Sequence, residues 1–248
     1  EVRIGGPPAT VTSRDATSVA VLMPAGTVSS PDVAVTNPDG GSAIVTDPFN
    51  RVSFTRRRVG SQVQGEAGVS TGNIVQPSLS RDGRWLAFHT GTDRMVLGDT
   101  NGVADVFVRD RAADVFSGGI VRVSVGADGQ QANGASTRAR ISANGRFVAF
   151  VSAASNLVPG DTNGVEDVFV HDRDADGNGV YDETFPGART TFRVSVASTG
   201  AQANGPSGQH DLSPDGLWVA FVSTATNLVP GDTNGVRDVF LHHWPGSQ

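Results

Sequence analysis

Gly160-Asp161-Thr162-Asn163-Gly164-Val165-Glu166-Asp167-Val168-Phe169-Val170 is written twice more in the chain, as Gly98 to Val108 and as Gly231 to Leu241. Each copy follows at a fixed offset a segment ending in Ala-Phe: Gly83 to Phe88, Gly145 to Phe150 and Gly216 to Phe221. The loop aspartate recurs at Asp99, Asp161 and Asp232, so the unit repeats after 62 and then 71 residues. A period near 60 residues marks an array of supersecondary units, and the array decides the fold before any propensity argument.

The unit parses into four strands. Strand A ends at Leu79-Ser80, Ile141-Ser142 and Leu212-Ser213. Asp82-Gly83, Asn144-Gly145 and Asp215-Gly216 follow, and such pairs predict two-residue hairpin turns with both residues at positive φ. Strand B is Trp85 to Thr90, Phe147 to Ser152 and Trp218 to Ser223. It is apolar in both alternating registers, so both of its faces must be covered. Strand C covers 105–110, 167–172 and 238–243, and strand D covers 121–125 and 192–196. Four antiparallel strands with two buried faces, repeated, predict an all-β chain of three propeller blades, incomplete or open. No strand D follows His243, whereas Arg51-Val52-Ser53-Phe54 matches strand D ahead of the first blade. A longer propeller, a six-bladed ring made by pairing and an open arc all remain compatible with this count.

Residues 1–50 lack the repeat. Short strands near 1–4, 9–13, 17–23, 31–36 and 42–46, separated by Gly-, Pro- and Asn-rich turns, predict a small sandwich. Ile4-Gly5-Gly6-Pro7-Pro8-Ala9-Thr10-Val11, Pro24-Ala25-Gly26 and Val33-Ala34-Val35-Thr36-Asn37-Pro38-Asp39-Gly40-Gly41-Ser42-Ala43 resemble the IPT/TIG family of immunoglobulin-like domains. The match covers the family's later strands only, which implies a partial module with an open edge and no catalytic residues. From about residue 51 to 248, Ser-x-Asp-Gly-x-Trp-x-Ala-Phe followed by Asp-Val-Phe-Val resembles the TolB-like propeller repeats, relatives of the WD40-like blades. That resemblance implies the fold and leaves the task open, because blades of this kind serve many functions.

The composition narrows the partners. A net charge of −6 carries no footprint for nucleic acid, and Arg56-Arg57-Arg58 is too short to supply one. All 19 cationic residues are Arg, and the absence of Cys excludes disulfides. No apolar run approaches the roughly 18 residues of a membrane span. We expect an extracellular, cell-surface or periplasmic bacterial protein that binds a protein or carbohydrate, with copies able to associate through open blade edges.

Three groups of residues could carry chemistry. The nine extra residues of the second repeat fall between strands C and D. There Asp172, Asp174 and Asp176, with Asn178, Asp182 and Glu183, follow the spacing of a calcium loop, in which alternate oxygens converge on one hard cation. The alternative is a solvated acidic turn. Asp99, Asn101 and Asp105, with Asp161, Asn163 and Asp167 and with Asp232, Asn234 and Asp238, either ligate calcium or close turns onto their own amides. Arg138, Arg140, Gln209 and Asp211, on innermost strands, could line a ligand channel or a solvated one. The five histidines are scattered, and no nucleophile elbow, zinc-protease pair or phosphate-binding loop is present. The expected role is therefore a non-catalytic binding or scaffold segment with calcium-stabilised loops. The alternative is the propeller part of a larger enzyme, gating or binding substrate for a hydrolase domain outside this chain.

Overall fold

The computed structural model describes residues 74–113 and 119–244 in full, and the backbone of five short strands between residues 2 and 45. The chain divides into two compact units, Glu1–Arg58 and Val59–Gln248. Every described element is a strand. Among the described residues no helix is long and apolar enough to cross a membrane.

The first unit contains β1 (Val2–Ile4), β2 (Thr10–Arg14), β3 (Val19–Leu22), β4 (Val33–Thr36) and β5 (Ser42–Val45). All five predicted strands form. They pair as an antiparallel sheet β1-β4-β5 and a hairpin β2-β3 with an irregularity between Val11 and Ser13. The strand expected at Arg51–Phe54 lies outside the described residues.

The second unit holds three antiparallel sheets. The first runs β6 (Val75–Leu79), β7 (Trp85–Thr90), β8 (Asp105–Asp110), β9 (Ile120–Arg122). The second runs β10 (Ser136–Ile141), β11 (Phe147–Ser152), β12 (Asp167–Asp172), β13 (Thr190–Arg193). The third is β14 (Ser207–Leu212), β15 (Trp218–Ser223), β16 (Asp238–His243), three strands among the described residues. These sheets are propeller blades. The same register recurs in each: Phe88 lies opposite Phe107, Phe150 opposite Phe169 and Phe221 opposite Phe240. Their rings stack at 5.9, 5.9 and 5.7 Å.

Alternation along strand B explains its double apolar register. Val148 and Phe150 of β11 pack back on Ala87, Val106 and Val108 of the first blade. Phe147, Ala149 and Val151 face forward, against Val219 and Phe221 of the third. Successive side chains of a strand point to opposite faces, so one strand contributes to two cores. On the forward face of the third blade Val239 and Leu241 are 75% and 65% exposed, whereas their counterparts Val168 and Val170 are wholly buried.

Neighbouring blades also interlock at the hairpins. Trp85 lies on Gly145 and Phe147 on Gly216, so close that a Cβ on either glycine would sit 2.2 or 2.1 Å from the ring. Backbone bonds from Arg81 N to Ala143 O (2.9 Å) and from Ala143 N to Pro214 O (2.8 Å) continue the same seam.

Two local expectations are corrected. The A–B turns place only the glycine at positive φ, and Asp82, Asn144 and Asp215 do not share it. The bond from Ser80 N to Trp85 O (2.9 Å) closes a longer loop. Within it Asp82 accepts from Ser80 Oγ (2.6 Å) and Arg84 N (3.0 Å), so its side chain caps the turn from a negative φ. Strand D is also shorter than predicted. It ends near Arg122 and Arg193, because Ser124 Oγ and Ser195 Oγ take the amides of Val106 and Val168 (both 3.1 Å) in place of backbone carbonyls.

Candidate functional site

In the first two blades the repeated Asp-Thr-Asn-Gly loops close around an arginine from strand D. Arg193 Nη1 lies 2.9 Å from Asp161 Oδ1, 3.5 Å from Asp167 Oδ2 and 3.1 Å from Gln202 Oε1. Arg122 stands the same way, 3.3 Å from both Asp99 and Asp105 and 2.5 Å from Gln131 Oε1. Asn101 and Asn163 donate to Asp105 and Asp167 (2.8 Å each) and brace the turn. Ser124 and Ser195 donate to the remaining oxygens of these aspartates at 2.5 Å. The cation between each pair of carboxylates is therefore a guanidinium. Burial pushes the Asp99 and Asp161 carboxyls upward, against the pull of Arg122 and Arg193. In the third blade Asn234 still donates to Asp238 (2.9 Å), but Asp232 Oδ1 is buried without a partner.

The Gln-Ala-Asn-Gly loops join this bracing. Gln202 Nε2 donates to Thr162 Oγ1 (2.8 Å), and Asn204 exchanges bonds with Thr226 and Asn227 of the next blade. Gln131 and Asn133 repeat the pattern one blade earlier. These polar loops are thus largely satisfied by one another.

The acidic insert is built differently from its spacing. Asp172 accepts two bonds from Arg146 (2.7 and 2.8 Å) and one from the Asp174 amide (3.0 Å), just as Asp110 is held by Arg84 and the Ala112 amide in the first blade, which has no such insert. Asp172 is thus framework, and its capture by Arg146 is a property of the repeat. Asp182, at a φ of 64°, chelates Arg173. Arg173 is fully buried, stacks 4.1 Å from the Trp85 centroid and donates to Gly145 O at 2.6 Å. Tyr181 closes the other side, its ring 5.4 Å from Trp85. Asp174 accepts the Gly179 amide at 3.2 Å, and the Asn178 amide nitrogen lies between Asp176 (2.9 Å) and Glu183 (2.7 Å). Among the described residues no three His, Cys, Asp or Glu side chains form a metal-holding group.

The innermost strands present a third arrangement. Each of β6, β10 and β14 carries a register shift, between Val75 and Ser78, Thr137 and Arg140, and Gly208 and Asp211. Within each shift one residue adopts a left-handed conformation: Gln76 (52°), Arg138 (61°) and Gln209 (40°). Among the described residues only Asp182 joins them outside glycine. A non-glycine residue there costs about 1–3 kcal/mol, and such strain collects where a side chain must be re-aimed. All three, with Arg140, His210 and Asp211, line a cavity of about 550 Å³ whose other wall includes Val222 and Val239. Arg138 and Gln209 also line a second cavity of about 180 Å³. The structure thus brings Arg138, Arg140, Gln209 and Asp211 to one place.

His210 and Gln76 were not among the candidates drawn from the sequence. His210 is buried, and neither ring nitrogen has a hydrogen-bond partner. Burial, with Arg140 and Arg138 nearby, pushes its pKa down to about 4 against the opposing influence of the Ala149 carbonyl and Asp211. An unsatisfied buried polar group costs about 1–3 kcal/mol. The available signal was the alignment of the innermost strands, which sets Gln76, Arg138 and Gln209 at one position and His210 where the other blades have Pro77 and Ala139.

No protein-family profile matches the chain, and no curated protein matches it. Solved structures do. TolB from Acinetobacter baumannii is similar at 16% identity over 91% of this chain and 38% of its own, with a TM-score of 0.36. A putative TolB from Agrobacterium tumefaciens is similar at 15% identity over 87% of this chain and 70% of its own, with a TM-score of 0.34. The tricorn protease is similar at 15% identity over 85% of this chain and 15% of its own, with a TM-score of 0.35. The propeller assignment rests on the sheets themselves.

Proposed function

We propose that this chain is a non-catalytic binding segment whose ligand docks among the innermost strands of its blades, with an N-terminal immunoglobulin-like spacer, in an extracytoplasmic setting. The observation that carries the reading is the threefold bulge: three strained residues at equivalent positions all line one cavity. The Asp-Thr-Asn-Gly and Gln-Ala-Asn-Gly loops of the first two blades are occupied by mutual hydrogen bonds, whereas the cavity wall keeps donors free for a ligand. A fragment set of neutral, cationic and anionic compounds, followed by amide shifts of the labelled chain, tests this. Shifts should cluster at Gln76, Arg138 and Gln209. Hits confined to the loops, or turnover of ester or peptide substrates by this chain alone, would defeat it.

Calcium at the acidic insert belongs to the same proposal. The oxygens left for an ion are those of Asp174, Asp176, Asn178 and Glu183, while Asp172 and Asp182 stay with their arginines. The Asn178 amide, held between two carboxylates, marks a point where a cation would relieve the same repulsion. Saturating calcium at 100 times its dissociation constant would add about 2.7 kcal/mol. A rise in Tm with calcium that disappears when Asp174→Ala and Asp176→Ala are combined is the expected result. No rise in the parent chain removes calcium from the reading.

A further inference from the structure

The repeats supply their own control. Where the blades agree, residues hold the sheets together; where one position departs, some other demand is acting. One departure from a shared residue and three positions at which all blades differ meet at one place. Arg138 stands where the other blades have Gln76 and Gln209, and Arg140 where they have Ser78 and Asp211. His210 replaces Pro77 and Ala139, and Gly208 replaces Val75 and Thr137. The glycine has a spatial consequence, since a Cβ on Gly208 would come 3.0 Å from Arg138 Nη1. Its absence lets the guanidinium lie over β14 beside His210.

The groups gathered there have unused donors. Among the described residues the Arg138 guanidinium has no hydrogen bond or ion pair, although its backbone amide donates to His89 Nδ1 at 3.3 Å. His210 lines the same cavity but keeps both ring nitrogens covered, so the accessible donors are those of the arginines. Arg140 reaches Asp211 only at 3.8 Å, and Asp211 is largely exposed. Two guanidiniums against one carboxylate leave a positive excess at the cavity wall, while Ala220, Val222 and Val239 form an apolar flank.

We propose that this cavity binds the oxyanion of a small ligand with an apolar body, the anion on Arg138 with Arg140 beside it and the body against Val222 and Val239. An arginine fork offers two parallel N–H donors to an oxyanion, which neutral polar ligands use less well. The cavity is too large for an ion alone, and the apolar flank gives the remainder of the ligand a place. This inference rests on the binding reading above and narrows it to one chemistry.

Hexanoate, inorganic phosphate and hexanol are the probes, followed by the His210 ring resonances and the Arg138 side-chain NεH signal of the full chain. Hexanoate should shift both saturably in the millimolar range, phosphate more weakly, and hexanol neither. Arg138→Gln should weaken hexanoate about tenfold or more at unchanged Tm, since the lost guanidinium holds nothing else in place. Arg138→Lys should recover only part of the loss, because the fork is gone. Phosphate binding as tightly as hexanoate would retain the anion and remove the apolar body, overturning the proposal as stated. Hexanoate and hexanol behaving alike, or Arg138→Gln binding hexanoate unchanged, would overturn it too. Neutral or cationic fragments seated at Gln76 and Gln209 alongside such a failure would leave the broader binding reading standing.

Discussion

Gly216→Ala should be far more costly than Gly231→Ala, although both glycines have a φ of 81°. The shared backbone strain of an alanine at that angle is about 1–2 kcal/mol. What differs is the surroundings. A Cβ on Gly216 would lie 2.1 Å from Phe147 Cδ2, whereas nothing lies within 4 Å of one on Gly231. Phe147 is buried and in edge contact with Trp244 at 4.9 Å, so its ring cannot swing away freely. Overpacking of this kind adds about 1–3 kcal/mol. In a unit of this size each kcal/mol moves Tm by about 2–4 °C, so a midrange difference of about 2 kcal/mol separates the variants by about 4–8 °C. Differential scanning calorimetry of both variants measures it. A third arm, Gly216→Ala in a Phe147→Ala background, should reduce the penalty to that of Gly231→Ala, because the colliding ring is gone. Equal melting of the two single variants would refute the claim that each blade seats its leading aromatic ring on the next blade's hairpin.

Asp167→Asn should cost about 1–3 kcal/mol in urea melts, since it sets an amide nitrogen against the donors of Asn163 and Arg193 while Asp161 and Gln202 still hold the arginine. Asp238→Asn at the equivalent position, where no arginine is seen among the described residues, should cost less than about 1 kcal/mol. Stability should fall as pH drops below about 6.5. Burial holds His171 at a pKa of about 3, with Arg189 and Arg173 adding to the depression, and His210 at about 4, so the unfolded chain takes up protons first. Each histidine removes about 2 kcal/mol between pH 6.5 and 5, and this stability is fully present only above 6.5. His171→Asn should flatten the slope of stability against pH, and an unchanged slope would show that His171 is not buried in its neutral form. Arg173→Met should free the acidic insert from Trp85, seen as quenching or a red shift of tryptophan emission. An unaltered spectrum would count against the Arg173 clamp.

Much of the fold was legible because its causes are local and repeated. Strands B and C are found at their predicted bounds in all three blades, since the Ala-Phe and Asp-Val-Phe segments repeat with little change. The five strands ahead of them were legible for a related reason, the alternation of Val and Ala between Gly- and Pro-rich turns. The end of strand D was not, because a serine side chain takes over a backbone role only when the neighbouring aspartate is folded beside it. The A–B turn was misread for the same reason: the caps on Asp82 and Asn144 come from Ser80 and Ser142, outside the dipeptide that suggested the turn.

The chain by itself determined the repeated four-stranded unit and the row of candidate carboxylates, because periodicity and alternation are properties of one dimension. Tertiary structure alone decided what each carboxylate faces. Asp161 and Asp167 meet Arg193, Asp172 meets Arg146, and Asp182 meets Arg173. An acidic spacing fits a metal ion and a guanidinium equally well, since both are cations of suitable reach. Which one fills it depends on the strand that folding brings alongside. The cavity around Arg138 and His210 belongs to the same category, for it exists only where bulges on three separate strands turn toward one another.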